Sequence, residues 1–281
     1  MSQIVYQGEP GAYSEAAALG FEADARTSGL PTFRRVFEAV ASGEAARGVV
    51  PVENSIGGSV ADVLDLLIAF EGVAVVGERW ERIEHALLAP EGTLLEEIRE
   101  VRSHPQALRQ CAASLRAMLP QAGLAETADT AGAARRLAKE RPAGVAAIAS
   151  RRAAELYGLA VLAENVESEA VNVTRFLLIA PGGAEPARGE PMKTTLVLAP
   201  RAEVPNALFR SLTAFVGRRL AVHRLEPRPR PGRPGTYRYL VDTEGDAGAE
   251  PLKDALADLP ALNDEVRVVG SYAAGPIPAA G

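Results

Sequence analysis

Residues 171–179 read V-N-V-T-R-F-L-L-I. The second half is an apolar run of the kind that makes a buried strand. The first half puts Asn172, Thr174 and Arg175 where that strand begins. A hydroxyl, an amide and a guanidinium at the edge of a core element offer a proton donor, a neutral orienter and an anion clamp. Alone, the stretch also fits a plain strand of β-formers with one surface arginine. The rest of the chain decides between the two.

Upstream, short β-prone runs alternate with helical patterns. Ile4 to Tyr6 runs into Q-G-E-P-G-A-Y-S-E, where Ser14 is a plausible cap for a helix to about Leu19. Thr32 can cap a helix over Phe33 to Ala41, with Val36, Phe37 and Val40 on one side. Gly48 to Val52 leads into E-N-S-I-G-G-S, and Ser59 can cap the next helix. S-H-P-Q-A-L-R-Q-C follows another strand. There Ser103 reads as the N-cap and Pro105 sits in the first turn, where its missing N–H costs nothing. Asp129 or Thr130, and then Ser150, cap two more helices. The alternation predicts an α/β class with mostly parallel pairing. Three junctions, near Gly11, Ser55 and Ser103, share the form strand, polar loop, helix N-terminus. Such ends carry free N–H groups and collect anions. They imply a pocket for a small polyanion such as a dicarboxylate, with Thr174 and Arg175 in its wall. No phosphate-loop or dinucleotide fingerprint is present.

Downstream, Gly182 to Pro191 (G-G-A-E-P-A-R-G-E-P) has linker composition. Beyond it the predicted order is βαββαβ, a small ferredoxin-like domain. Its sheet is expected to leave one face or edge bare, which invites pairing with a second copy. The arginine-rich run Arg218 to Arg238 is interrupted by prolines and glycines and reads as a solvated hairpin loop.

Composition narrows the classes. The chain has 281 residues, 47% of them hydrophobic, enough for one large domain or two ordinary ones. No apolar run reaches the ~18 residues of a membrane span. The start, M-S-Q-I-V-Y-Q, lacks the basic-then-apolar layout of a signal peptide. One cysteine, Cys111, excludes an internal disulfide and points to a cytoplasmic location. Three scattered histidines make no zinc site at known spacings, so no metal is expected. A formal charge of −6 argues against nucleic acid as a partner.

With these pieces placed, the chain resembles the prephenate dehydratase family followed by an ACT regulatory domain. The carriers are Gly8 to Glu15 (G-E-P-G-A-Y-S-E), Val50 to Ser55 (V-P-V-E-N-S), Ser103 to Cys111 and Asn172 to Phe176 (N-V-T-R-F), supported by Tyr157 to Leu159 and Lys193 to Thr195. The resemblance implies a two-lobed, periplasmic-binding-protein-like catalytic domain at 1–182, a linker at 183–191 and an ACT domain at 192–275. It implies loss of water and carbon dioxide from prephenate, giving phenylpyruvate for phenylalanine synthesis, with no cofactor. Arogenate, the amino analogue, is the alternative substrate, and a non-catalytic sensor is the alternative class.

By the same resemblance Thr174 donates to the departing hydroxyl, with Glu53, Asn54, Ser103 and Gln110 beside it as catalytic positions. Arg175, Ser55, Phe176, Gly11 and Tyr13 match substrate-binding positions, although Phe176 also reads as core and Ser103 also as a cap. His104, next to Pro105, and His85, where the chain crosses between lobes, read as structural. Phenylalanine is the implied effector, at Asn206, Ala207, Leu208, Glu226 and Arg228. Here the chain departs from the family's G-A-L and E-S-R-P, reading Asn206-Ala207-Leu208 and Glu226-Pro227-Arg228-Pro229. A homodimer or homotetramer is expected.

Overall fold

In a computed structural model, residues 3–169, 171–185, 189 and 191–278 are described. The expected linker falls partly on 186–188 and 190, outside the described residues. The chain opens with β1 (Gln3–Gln7), α1 (Tyr13–Phe21), β2 (Arg26–Leu30), α2 (Phe33–Ala41), β3 (Arg47–Asn54), β4 (Gly58–Ser59), α3 (Ala61–Ala69) and β5 (Val73–Arg82). It crosses to a second body made of β6 (Ala86–Ala89), β7 (Glu100–Ser103), α4 (Pro105–Gln110), α5 (Ala112–Met118), β8 (Gly123–Glu126), α6 (Thr130–Glu140), β9 (Val145–Ala149), α7 (Arg151–Tyr157) and β10 (Ala160–Ala163). It returns as β11 (Val173–Pro181), then continues as β12 (Met192–Pro200), α8 (Ala207–Val216), β13 (Val222–Pro229), β14 (Tyr237–Glu244), α9 (Leu252–Asp258) and β15 (Asn263–Ala273).

Three sheets result. The first has the order β2-β1-β3-β11-β5, the second β10-β6-β9-β7-β8 and the third β13-β14-β12-β15. This is the two-lobed α/β architecture expected, with a ferredoxin-like unit after it. The pairing is less parallel than the pattern implied. β1 is parallel to β2 and β3, and β7 to β8 and β9, but β11 runs antiparallel to both β3 and β5. The reason is the double crossing. A strand that comes home from the second lobe enters the first sheet from the opposite end.

The strand period of two sorts β11 by face. Phe176, Leu178 and Ala180 pack with α1 through Ala17 and Ala18. Leu177 and Ile179 pack with α2, α3 and with Val197, Leu240, Val269 and Tyr272 of the third sheet. The third sheet is therefore sandwiched. Leu196, Leu198 and Val241 face Phe215, Leu252 and Leu259 of its own helices, while the alternate residues face the first lobe. The expectation of a bare sheet face is corrected by this: the same chain covers it. The approach is close at Gly270, where any Cβ would collide with the Val75 carbonyl of β5.

Helix starts agree with the sequence in part. Thr32, Asp129 and Ser150 each accept a hydrogen bond from the backbone N–H three residues on. Ser14, Ser59 and Ser103 do not cap; α1 and α3 begin after Ala12 and Val60 without a side-chain cap, and His104 caps α4 through Nδ1. Strand β7 runs one residue further than its apolar pattern, which makes Ser103 a strand residue and passes the cap to its neighbour.

Candidate active site

A cleft of about 1240 Å³ lies between the two lobes. Its wall includes Tyr13 and Ser14 from α1, Asn54 at the end of β3 and Gly57 after it, His85 from the crossing, and His104, Gln106 and Gln110 around α4. Thr174 and Phe176 come from β11, and the start of α6 adds Asp129 and Thr130. Five helix beginnings thus line it, those of α1, α2, α3, α4 and α6. Their leading N–H groups lack intrahelical partners and bias the cleft toward anions.

At its floor sits a chain of buried amides. Asn54 Oδ1 accepts from the backbone N–H of Ile56 at 3.1 Å and of Gly57 at 2.7 Å. Its Nδ2 donates to Thr174 Oγ1 at 2.9 Å, to Asn172 Oδ1 at 2.7 Å and to the Val173 carbonyl at 3.2 Å. Gln106 and Gln110 reach the same Oδ1 at 3.3 and 3.2 Å. Gln110 Oε1 in turn meets His85 Nε2 at 2.9 Å, and His85 Nδ1 lies 2.9 Å from the Tyr13 hydroxyl. Asn54 and Thr174 are directly opposite across β3 and β11, so the pairing register itself sets their contact. Burial lowers the pKa of His85, partly offset by its hydrogen bond to Gln110, so the ring is neutral. His104 is also lowered, by burial and by Arg109.

Of the residues singled out by sequence, Thr174, Asn54, Gln110, Tyr13 and Phe176 line this cleft. Arg175 does not, and the clamp expected there is corrected. Consecutive strand residues point to opposite faces, so if Thr174 faces the cleft Arg175 faces away. Its guanidinium is buried between Glu78 and Asp242 and also donates to the Tyr272 hydroxyl at 3.1 Å. Glu53 is turned away for the same reason and lies 3.3 Å from Arg224.

Ser103 is fully buried, donating to the Ile148 carbonyl at 2.7 Å. Ser55 accepts from the Val173 N–H at 3.0 Å and so fastens the loop after β3 to β11. Gly11 is a lobe-to-lobe contact: its φ is +89° and a Cβ there would press on Ala153 of α7. In the third sheet, Asn206 sits at φ 56° before α8 and Ala207 is buried. Leu208 follows in the first turn of α8. Arg228 pairs with Asp65 of α3 by two 2.6 Å bonds, and Glu226 accepts from Ser59. Two residues of the site were not foreseen, His85 and Gln106. A lone histidine before an apolar strand carries no sequence signal that separates this role from packing.

The fold and this hydroxyl-bearing cleft define a two-lobed α/β protein with a candidate active site between its lobes. A family model described as prephenate dehydratase matches residues 4–183, and this chain belongs to that family. It is similar to "Arogenate dehydratase 5, chloroplastic" of Arabidopsis thaliana, at 38% identity over 96% of this chain and 67% of that protein. Among solved structures, prephenate dehydratase from Arthrobacter aurescens in complex with L-Phe has a TM-score of 0.89 at 32% identity, covering 97% of this chain and 90% of that one. GqqA, described as a novel type of quorum quenching acylase, has a TM-score of 0.88 at 33% identity and 98% coverage of both chains. The chloroplastic name of the plant relative overturns the expected cytoplasmic location. A lone cysteine excludes a disulfide but does not choose among reducing compartments.

Proposed function

We propose that this chain converts prephenate to phenylpyruvate, water and carbon dioxide. The observation that carries the reading is the Thr174 hydroxyl in the cleft, accepting from Asn54 Nδ2 at 2.9 Å. With that lone pair used, and no acceptor for its proton among the described residues, Thr174 Oγ1 is left as a donor toward the cleft. In the reaction the ring carboxylate leaves as carbon dioxide. The electron pair of the broken C–C bond enters the ring, and the C–O bond breaks as hydroxide departs and takes up a proton from solvent to become water. Aromatisation drives the step. Thr174 hydrogen-bonds the departing oxygen as a placed donor. Arg34 and the first turns of α1 and α6, in the cleft wall, are the proposed holders of the two carboxylates.

The test is to incubate the full chain with prephenate and, separately, arogenate, following phenylpyruvate and phenylalanine. Phenylpyruvate from prephenate is expected; no turnover of either overturns the reading. Preferential turnover of arogenate would favour the second reading, which the name of the plant relative supports.

The proposed division is a catalytic unit at 1–182, a junction at 183–191 and an ACT domain at 192–275 that takes phenylalanine. The βαββαβ order and the L-Phe complex of the Arthrobacter relative support it. The assembly we propose is a homodimer or homotetramer. Its basis is the outer side of α8, where Phe209 is 70% and Val216 71% exposed.

A further inference from the structure

We propose that His85 is a positioning residue of this site, whose Nε2–H holds the Gln110 amide in the orientation that presents its nitrogen to Asn54 Oδ1, beside the Thr174 hydroxyl. The inference rests on the reading of Thr174 as the donor. Its force comes from the way direction passes along the chain of amides. An Asn or Gln side chain can turn over and exchange its oxygen for its nitrogen. Asn54 cannot, because Oδ1 is held by two backbone N–H groups, Ile56 and Gly57, which only donate. Asn54 therefore presents nitrogen to Thr174 and oxygen to Gln110.

Gln110 must then present nitrogen to Asn54. Its oxygen is left facing His85 Nε2 and, at 3.3 Å, Asn172 Nδ2. An oxygen there requires a proton on His85 Nε2. The alternative tautomer would set two lone pairs against each other 2.9 Å apart, at a site where both groups are buried. Each link is thus fixed from one end by backbone and from the other by His85. Without the histidine donor, only the 3.3 Å bond from Asn172 Nδ2 is left to hold the Gln110 oxygen away from Asn54 Oδ1.

The ring is itself held from both lobes. The Tyr13 hydroxyl of α1 lies 2.9 Å from its Nδ1 and 2.7 Å from the Glu84 carbonyl, so in the Nε2–H form the single phenol proton turns to Nδ1; the backbone N–H of His85 donates to Glu167 at 2.8 Å on the returning crossing. His85 thus sits between the two chain crossings, joining Tyr13 of the first lobe to Gln110 of the second.

The first test uses the unmodified chain. With only three histidines, nitrogen-15 NMR of histidine-labelled protein assigns the His85 tautomer near neutral pH. The Nε2–H form is expected; the Nδ1–H form overturns the proposal. The second test is kinetic, with prephenate and with arogenate. His85→Leu should lower kcat about 10- to 100-fold with KM nearly unchanged, a scale set by loss of one positioned group. His85→Gln, which restores an N–H at the same reach, should regain most of it.

A folded His85→Leu with wild-type kcat, while Thr174→Ala is inactive, overturns the relay alone. Wild-type turnover by Thr174→Ala instead removes the donor reading beneath it. If His85→Leu does not fold, the tautomer and His85→Gln decide: a folded His85→Gln with the full loss overturns the relay.

Discussion

The Arg175 guanidinium forms a buried ion pair with Asp242, across the boundary between the first lobe and the third sheet. Thr174, the residue before it, opens into the cleft. One strand therefore carries the proposed catalytic hydroxyl on one face and the anchor of the C-terminal unit on the other. The anchor is extensive. Glu78 receives Arg175 and Lys193, and Asp242 also accepts from Thr195 at 2.6 Å. Burial raises the pKa of Asp242, but Arg175 and the Thr195 hydroxyl outweigh it and hold the carboxyl below its usual range.

Arg175→Ala is expected to act on stability before it acts on binding. Removing one partner of a buried pair leaves the other charge uncompensated, at a cost of about 3–5 kcal/mol. Asp242→Ala, far from the cleft wall, should lower the urea midpoint to a similar extent. Urea titration of both variants, with KM measured beside it, checks this. A stable Arg175→Ala with a raised KM would show that the guanidinium reaches substrate after all.

Thr174→Ala should lower kcat by about 100- to 10,000-fold, the usual scale for a lost placed donor. Thr174→Ser should keep more activity, since the oxygen that meets Asn54 remains. Folding should change little, because Asn54 Nδ2 keeps its bonds to Asn172 Oδ1 and the Val173 carbonyl. Circular dichroism and steady-state kinetics on both variants separate the effects.

Stability should fall as pH drops below about 6.5, and the sign follows from the two histidines. His85 and His104 have folded pKa values lowered from 6.5, chiefly by burial. The unfolded chain then binds more protons across the interval between the two values. Their contribution is complete above the unfolded value and is lost toward the folded ones. The Glu167 carboxylate, which accepts from the His85 backbone N–H, raises the His85 value and softens the effect without reversing it. Each histidine sets an upper slope of about 1.4 kcal/mol per pH unit. Urea midpoints between about pH 5 and pH 7.5 read it, and His104→Asn should make the decline shallower.

The alternation of strands and helices, the returning strand at 171–179 and the βαββαβ order after the junction were legible, because each rests on local periodicity. What failed was orientation. N-V-T-R-F brings three polar groups together in sequence, yet the two-residue strand period sends Arg175 away from Thr174. That period was available in the sequence; which face met the cleft was not, since it depends on β11 lying between β3 and β5. Glu53 was misplaced for the same reason. Ser103 has the composition of a cap, but β7 extends through it. His85 acts only because Tyr13, Gln110 and Glu167, far apart in the chain, converge on it, and no local pattern records that.

Phenylalanine binding should be weaker than the family pattern implies, and this chain supplies two separable reasons. Asn206 adds a side chain where the pattern has glycine, although its left-handed backbone at φ 56° is one that asparagine tolerates. Pro227 removes an N–H from β13 and stiffens it. The second reason is competition. Arg228 is already held by the Asp65 carboxylate through two bonds of 2.6 Å. A ligand carboxylate must displace an exposed bidentate pair, which is worth about 0–1 kcal/mol, or up to about five-fold in affinity. Asp65→Asn should therefore tighten phenylalanine binding by up to that factor. Asn206→Gly with Pro227→Ser should tighten it independently, and the two effects should add because they act on different groups. Calorimetry with phenylalanine on the three proteins decides it. Tight binding unaffected by either change would show both departures to be harmless, and no binding in any of them would show that these residues do not form the effector site.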